Sequence, residues 1–593
     1  MAQPARPRGR GVGGCRLETF DSNTANFRSN TVSDTTPRRR PHWSVFVLAG
    51  ILLFDVWLRG HTFGPTIRDR FGLNLWPVSG GEAEPLDCDE AAYAYIGRRI
   101  DDGAVMYRDL TENKPPGGYW LYALALALGG ADELTVRVMP IPIVLATIAV
   151  VWWLGLRLRG PGSACLAALT YSVVSTDPYL FGNGANFEHA INLFSIGSAA
   201  FLVAALANGS RRLVLLSGLS LGIACLFKQV VFLHAPLLAL FLVVSARPWR
   251  DRLYDVMALA GGFLLVWGLA AFVLVLQGAG PAAFDDIFQY GRALATETPA
   301  EPNAPPFWMR WVTGNADPGG RLPPPFGKTD YLVWWGAGSW PLWLVGLPSV
   351  LVLGLARSSS PAKRLLAAWT VSAWVQVALP GLFWQHYYLL PLPGLVVAVA
   401  VHLGDSVARV RGGGVRAIPW GLWSVTLALA LIGTGLLQVR EYLLTPPEML
   451  TVKYKGGGQW VVLRRLGRDL GARSRLWSDP RILVWGWQSP LFFYSGLDGV
   501  SRHFFVDNFL KAYAETDHPL VRPRIERIMR DLRAHPPALI FVGYPPFPEL
   551  RAFLREHYLP SHLVGSAVQG YPLWVERGKY HEFETWADAA PAH

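Results

Sequence analysis

The run RRRPHWSVFVLAGILLFDVWL (38–58) sets three arginines directly ahead of an apolar block, and its reading decides the fold. A long apolar stretch with a basic flank is a membrane-helix candidate rather than a core strand. The same alternation recurs outward to residue 438. Apolar blocks lie at about 134–156, 163–181, 187–207, 213–227, 229–246, 255–277, 331–356, 365–382, 386–404 and 417–438. The connectors between them carry Arg157/Arg159, Arg211/Arg212, Arg247/Arg250/Arg252, Arg357/Lys363/Arg364 and Arg409/Arg411/Arg416. With 44–58 this predicts a mainly α, polytopic membrane protein of about eleven transmembrane helices.

Composition agrees. The 593 residues are 51% hydrophobic and 16% charged, with 25 Trp, whereas a soluble protein is roughly 25% charged. Length alone suggests three or four domains of about 150 residues, and the apolar patterning excludes that. Disorder, a collagenous repeat and a disulfide scaffold are excluded too, and no internal repeat is evident. The cysteines Cys15, Cys88, Cys165 and Cys225 show no metal-ligand spacing.

The net charge of +11 invites a nucleic-acid reading. Its distribution argues instead for topology. Residues 1–42 hold eight Arg against Glu18, Asp21 and Asp34, and short basic loops are retained on the cytoplasmic side. An inside N-terminus places every basic connector inside, so no nucleic-acid partner is expected. The segment GGYWLYALALALGG (117–130) is too short for a comfortable crossing. It reads as a re-entrant or interface-lying helix, a position that suits Tyr119, Trp120 and Tyr122.

This threading puts 59–133, 181–187, 278–330 and 439–593 on the outer face. It divides the chain into a disordered basic cytoplasmic tail (1–42), a membrane unit (43–438) and an extracytoplasmic soluble α/β domain (439–593). In that domain LVRPRIERIMRDLRAH (520–535) and PELRAFLREHYL (548–559) have helical periodicity, and ALIFVGY (538–544) reads as a strand. The end reads as a hairpin around Gln569-Gly570. VWGWQSPLFFY (484–494) suits domain core better than a sugar platform. No signal-peptide cleavage pattern follows the first span, which should stay as an anchor in the cell membrane.

A charge at membrane depth costs at least about 2.5 kcal/mol, so each is a functional candidate. The candidates gather at the outer mouth. LDCDEAAYAYIGRRIDDG (86–103) supplies Asp89 and Glu90, and YRDLTENKPPGGYW (107–120) supplies Glu112 and Lys114. GNGANFEHA (182–190) adds Asn186, Glu188 and His189, then come Lys228-Gln229 and WQHYY (384–388) with His386 and Tyr387. Two of the protein's eight lysines, Lys114 and Lys228, belong to this set. Plainer readings stand beside these. Asp87 or Asp89 could cap a helix over 90–101. Lys114 could anchor at the interface, Glu188 and Lys228 could form a structural pair, and His386 could be a hydrogen-bonded helix-end residue.

Nothing here resembles a P-loop, a dinucleotide turn, HExxH or GxSxG. A chemistry using carboxylates and lysines beside lipid is transfer of a sugar from a polyprenyl-phosphate donor. A carboxylate takes the acceptor's hydroxyl proton, and cations stabilise the departing phosphate. Asp89, with Lys114, Lys228 and His386, is a chemically complete set. The rival is a transporter or lipid flippase, but such proteins usually bind substrate near the midplane of inverted repeats, and these candidates all lie at one mouth. A non-catalytic scaffold is a third reading.

The Asp89-Glu90 pair, the following YAYIGRRIDDGAVMYRD and the ENKPPGGYW motif resemble glycosyltransferase family 39 over about residues 44–405. That family holds protein O-mannosyltransferases and lipid A aminoarabinose transferases, within the GT-C membrane glycosyltransferases. The resemblance implies that the membrane unit is catalytic, with Asp89 as base and Glu90 beside it. Lys114, Glu112, Asn186, Glu188, Lys228, His386 and Tyr387 would then bind the donor phosphate or substrate. It implies an inverting transfer to a glycan, lipid or protein hydroxyl, with a lipid-linked sugar as co-substrate and no metal. Two positions depart from the usual pattern. Asn113 stands where many relatives carry an acid before Lys-Pro-Pro, and the later acid is Glu188 in an Asn-Phe-Glu setting.

Overall fold

The computed structural model describes residues 43–299, 338–414, 417–474, 477–561 and 573–589, and each of the eleven apolar blocks contains a helix within its described part. The basic tail 1–42 and the turn at Gln569-Gly570 lie outside the described residues. Among the described residues six helices, against the eleven spans expected, are long and apolar enough to cross a membrane: Trp43–Phe71, Glu133–Leu158, Phe187–Asn208, Trp249–Leu276, Gln385–Arg411 and Ile418–Leu443. The rest are shorter or more polar, for local reasons. The 163–181 block gives Pro161–Val174, then a turn and a 3-10 segment at Pro178–Leu180. The Pro361–Ala378 helix carries Lys363 and Arg364 in its first turn.

The long helices differ in what they face. Leu392–Arg411 is buried over most of its length. Trp249–Leu276 and Ile418–Gln438 instead leave large apolar side chains uncovered, Leu264, Leu265 and Leu422 each more than 60% exposed. Apolar surface on that scale suits lipid. Small residues permit the closest approach, between Arg211–Cys225 and Trp249–Leu276. A Cβ on Gly218 would lie 2.0 Å from the Leu259 carbonyl oxygen, and one on Gly262 2.4 Å from that of Leu215.

Beyond Gln438 the chain forms a five-stranded sheet: β1 (Arg481–Trp485), β2 (Asp498–Gly499), β3 (Leu539–Val542), β4 (Tyr558–Pro560) and β5 (Leu573–Glu576), in the order β2-β1-β3-β5-β4. β1 pairs parallel with β2 and β3, and β5 pairs antiparallel with β3 and β4. Alternation along β1 and β3 explains their unbroken apolar runs. Leu483, Trp485, Ile540 and Val542 pack under the Arg522–Ala534 and Pro548–His557 helices. Ile482, Val484, Leu539 and Phe541 join the larger core. The helices fall on the periodic stretches of the sequence. Within VWGWQSPLFFY, Trp485, Leu491 and Phe492 are core, while Trp487 reaches a cavity wall.

The segment 59–133 lies between the long helices and this sheet. Its Cys88–Asp101 helix packs on Gly117–Gly129 through Gly97, where a Cβ would stand 2.9 Å from the backbone of Tyr122 and Ala123. Its other face meets the sheet region: Tyr95 stacks on Phe492 at 4.7 Å and accepts from the Gly499 N–H, and Arg98 bonds Asp498. The C-terminal half of that helix is thereby clamped from two sides, and at its Asp89 end Ser489 donates to the Cys88 carbonyl.

Candidate functional site

The site is built on the first turn of the Cys88–Asp101 helix, which three neighbouring carboxylates share. Asp87 is the N-cap: its Oδ1 accepts the Glu90 N–H at 3.0 Å, and Glu90 Oε2 accepts the Asp87 N–H at 3.1 Å. This reciprocal box satisfies two otherwise orphaned amides. The other Glu90 oxygen takes Arg137 at 2.6 Å and the Ala185 N–H at 2.7 Å. Glu90 thus lies fully buried behind the wall. Asp89 is different. It lines a cavity of about 1620 Å³, half-buried, and among the described residues no donor bonds or pairs with its carboxylate.

That cavity also receives Glu112, Lys114, Asn186, Lys228, His386 and Tyr387. Lys114 lies 3.1 Å from Glu112 and over the Tyr93 ring at 5.2 Å, and Tyr119 donates to the same Glu112. Burial works against the Lys114 charge, but Glu112 and Asp89 outweigh it and hold the ammonium above its usual range. Lys228 follows the Arg211–Cys225 helix, reaches back to Glu188 in an ion pair and sits 4.2 Å over the Tyr387 ring. Glu188 stands behind Lys228, with His386 Nε2 3.9 Å from its carboxylate. Asn186 N-caps the Phe187–Asn208 helix by position but donates to the Phe181 carbonyl instead. His189 turns from the cavity to the Gly182 carbonyl. Gln229 bridges the Asn113 and Ile287 carbonyls, tying the Lys-Pro-Pro loop down. Among the described residues no group of three or more His, Cys, Asp or Glu could hold a metal ion.

Sequence reasoning passed over the floor beneath Asp87. Lys455, from the chain after the last apolar helix, is 3.1 Å from Glu84, 3.7 Å from Asp87 and 4.0 Å from Glu90. Arg137 completes the cluster, and Asn183 and Thr451 bond the Glu84 carboxylate. Burial and the Glu90 charge, opposed by Lys455, push Asp87 up to about 7. The rarity of lysine was the available signal for Lys455. For Arg137 the signal was its place inside the 134–156 apolar block, and for Glu84 there was none.

Residues 113–274 match the family described as dolichyl-phosphate-mannose-protein mannosyltransferase. The undecaprenyl phosphate-alpha-4-amino-4-deoxy-L-arabinose arabinosyl transferase of Pseudomonas aeruginosa is 28% identical over 241 residues, 39% of this chain and 41% of that protein. Its counterpart in Erwinia tasmaniensis is 25% identical over 351 residues, 56% and 57% of the two chains. This chain therefore spans about half the length of the relatives it matches. The structure of ArnT from Cupriavidus metallidurans bound to undecaprenyl phosphate superposes with a TM-score of 0.51 at 16% identity, covering 90% of this chain and 97% of that one. The family model and the relatives uphold the resemblance to glycosyltransferase family 39, and the likeness to ArnT shows a shared fold.

Proposed function

We propose, from the kinship with glycosyltransferase family 39, that this chain is a membrane glycosyltransferase moving a sugar from a polyprenyl-phosphate donor to an acceptor hydroxyl. One observation carries the residue assignment. Of the carboxylates on the cavity wall, Asp89 alone has no bonding partner among the described residues, while Asp87, Glu112 and Asp507 are engaged. A general base must have a free lone pair for the proton it takes.

In this reading the acceptor O–H gives its proton to Asp89 as the oxygen bonds the anomeric carbon. The bond from that carbon to the phosphate oxygen breaks on the opposite face, inverting the centre. Polyprenyl phosphate leaves as an anion beside Lys114 and Lys228, whose charges act in a site shielded from bulk water. Glu112 and Tyr387 hold the two ammonium groups in place, and His386 and Asn186 line the same chamber. Glu188 keeps Lys228 charged, and Glu90 keeps the Asp89 turn rigid. The apolar blocks thread the membrane from an inside N-terminus, so that Asp89 and residues 439–593 face outward. The acceptor is a glycan, lipid or protein.

The purified protein is incubated with a panel of polyprenyl-phosphate sugars, and released polyprenyl phosphate is identified by mass spectrometry. Release by the wild type, cut about 10²–10⁴-fold in Asp89→Asn, is expected. Full activity of that variant, or transport of intact donor without release, sinks the proposal.

A further inference from the structure

The floor of the site holds three carboxylates and two cations, all of them buried. Arg137 is committed: it bonds Glu90 and the carbonyls of Glu84 and Pro85. The second cation, Lys455, is 1% exposed at its side chain and lies within 4.0 Å of Glu84, Asp87 and Glu90. Its ammonium is nevertheless aligned for a hydrogen bond with none of them. It acts as a charge shared by the cluster rather than as one partner's donor. Asp87 Oδ2 is likewise buried without a hydrogen bond. Lys455 comes from the far end of the chain. It follows the Pro447–Tyr454 helix, whose Thr451 donates to Glu84, and precedes Gly456 and Gly457, both at positive φ. Those glycines let the backbone turn away at once, so the lysine projects into the cluster from a segment that also forms cavity wall.

The charge count decides what Lys455 does. With all groups ionised the floor carries one net negative charge, and without Lys455 it carries two. The carboxylate with the least local support is Asp87. It faces Glu90 and Asp89 on its own helix, Glu84 on the preceding loop, Arg137 beyond Glu90, and Lys455 from the C-terminal segment. Asp87 is also the N-cap that fixes the turn bearing Asp89.

We propose that Lys455 is a positioning residue for Asp89: its ammonium, 3.7 Å from the Asp87 carboxylate, favours the ionised form of that helix cap, and so couples residues beyond the last apolar helix to the base. The proposal rests on the glycosyltransferase reading for its consequence in turnover, and has a consequence for stability that does not. Burial and the Glu90 charge push the Asp87 carboxyl up to about 7, against the pull of Lys455 and the Glu90 N–H.

The test uses the full-length protein with Lys455→Met, Lys455→Arg and Asp87→Asn. Lys455→Met is expected to lower kcat about tenfold or more at neutral pH with the donor KM little changed, since orientation rather than binding is lost. The acid limb of its pH–rate profile should move up by about one unit or more. Lys455→Arg should restore the limb, and Asp87→Asn should lower kcat and remove that titration. An unmoved limb with unchanged kcat in Lys455→Met, or an arginine variant no better than methionine, overturns the proposal. Stability is followed separately, by thermal unfolding against pH. A raised carboxyl contributes stability below its unfolded value that is lost as pH rises through the folded one. Without Lys455 that loss grows, so the melting gap between wild type and Lys455→Met should widen as the pH rises through about 7. A flat gap overturns the role of Lys455 even if no sugar donor proves active. A widening gap in a protein with no transferase activity overturns only the glycosyltransferase reading.

Discussion

The Glu188–Lys228 pair offers the sharpest separation of structural from chemical roles. Its side chains are 1% and 8% exposed, and the ammonium also lies over the Tyr387 ring. Replacing Lys228 with Met removes a charge of similar shape and strands the Glu188 carboxylate among apolar helices. Breaking one side of a buried pair costs about 3–5 kcal/mol, whereas replacing both by neutral groups of similar volume is often close to neutral. Lys228→Met should therefore lower the unfolding midpoint markedly in detergent, followed by Trp fluorescence, and adding Glu188→Gln should recover most of the loss. Turnover should not follow. If Lys228 stabilises the departing phosphate, losing it costs about 10²–10³-fold in kcat, or about 2.7–4 kcal/mol, in the single and double variants alike. The assay is polyprenyl phosphate released per folded protein, with folded protein measured by size exclusion. A double variant with wild-type turnover would refute the reasoning, because Lys228 would then serve only to neutralise Glu188.

Two further predictions concern the frame around the site. Gly218→Ala would press a methyl into the Leu259 carbonyl, a backbone atom that cannot swing aside. It should cost about 1–3 kcal/mol, read as a lower melting temperature and poorer monodispersity, and an unchanged melting temperature counts against this helix contact. Arg524 bonds Asp285 at 2.6 Å and the buried Asp286 at 2.8 Å, and lies over Tyr290. Arg524→Ala should remove about 1.5–3 kcal/mol of local support and hasten proteolytic cleavage between 285 and 297, seen by mass spectrometry of the fragments. Cleavage at the wild-type rate would mean that Arg502, also on Asp286, suffices.

Much of the fold was legible because membrane helices and buried strands are written locally. A helix-length apolar run has few alternatives, and ALIFV between two amphipathic helices became β3 with those helices above it. The span count was less legible. Hydrophobicity marks where a block lies, but the break at Pro178 and the charged first turn of Pro361–Ala378 decide whether one helix fills it. The candidate residues stood out as a set because lysines and acids are rare in such sequence, and Asp89, Lys114, Lys228 and His386 do share one cavity.

What the linear chain could determine, then, was element type, element order and the short roster of charges at one mouth, since each depends on a few adjacent residues. The choice of Asp89 as base leaned on the family resemblance, because Asp87, Asp89 and Glu90 have nearly the same chemistry and sit within four positions. What separates the three in the fold is partners far along the chain. Arg137 and the Ala185 amide occupy Glu90, and Lys455 faces Asp87. Asp89 is left open to the cavity because tertiary packing sets a cation or an N–H directly against its neighbours, while among the described residues none hydrogen-bonds or ion-pairs with it.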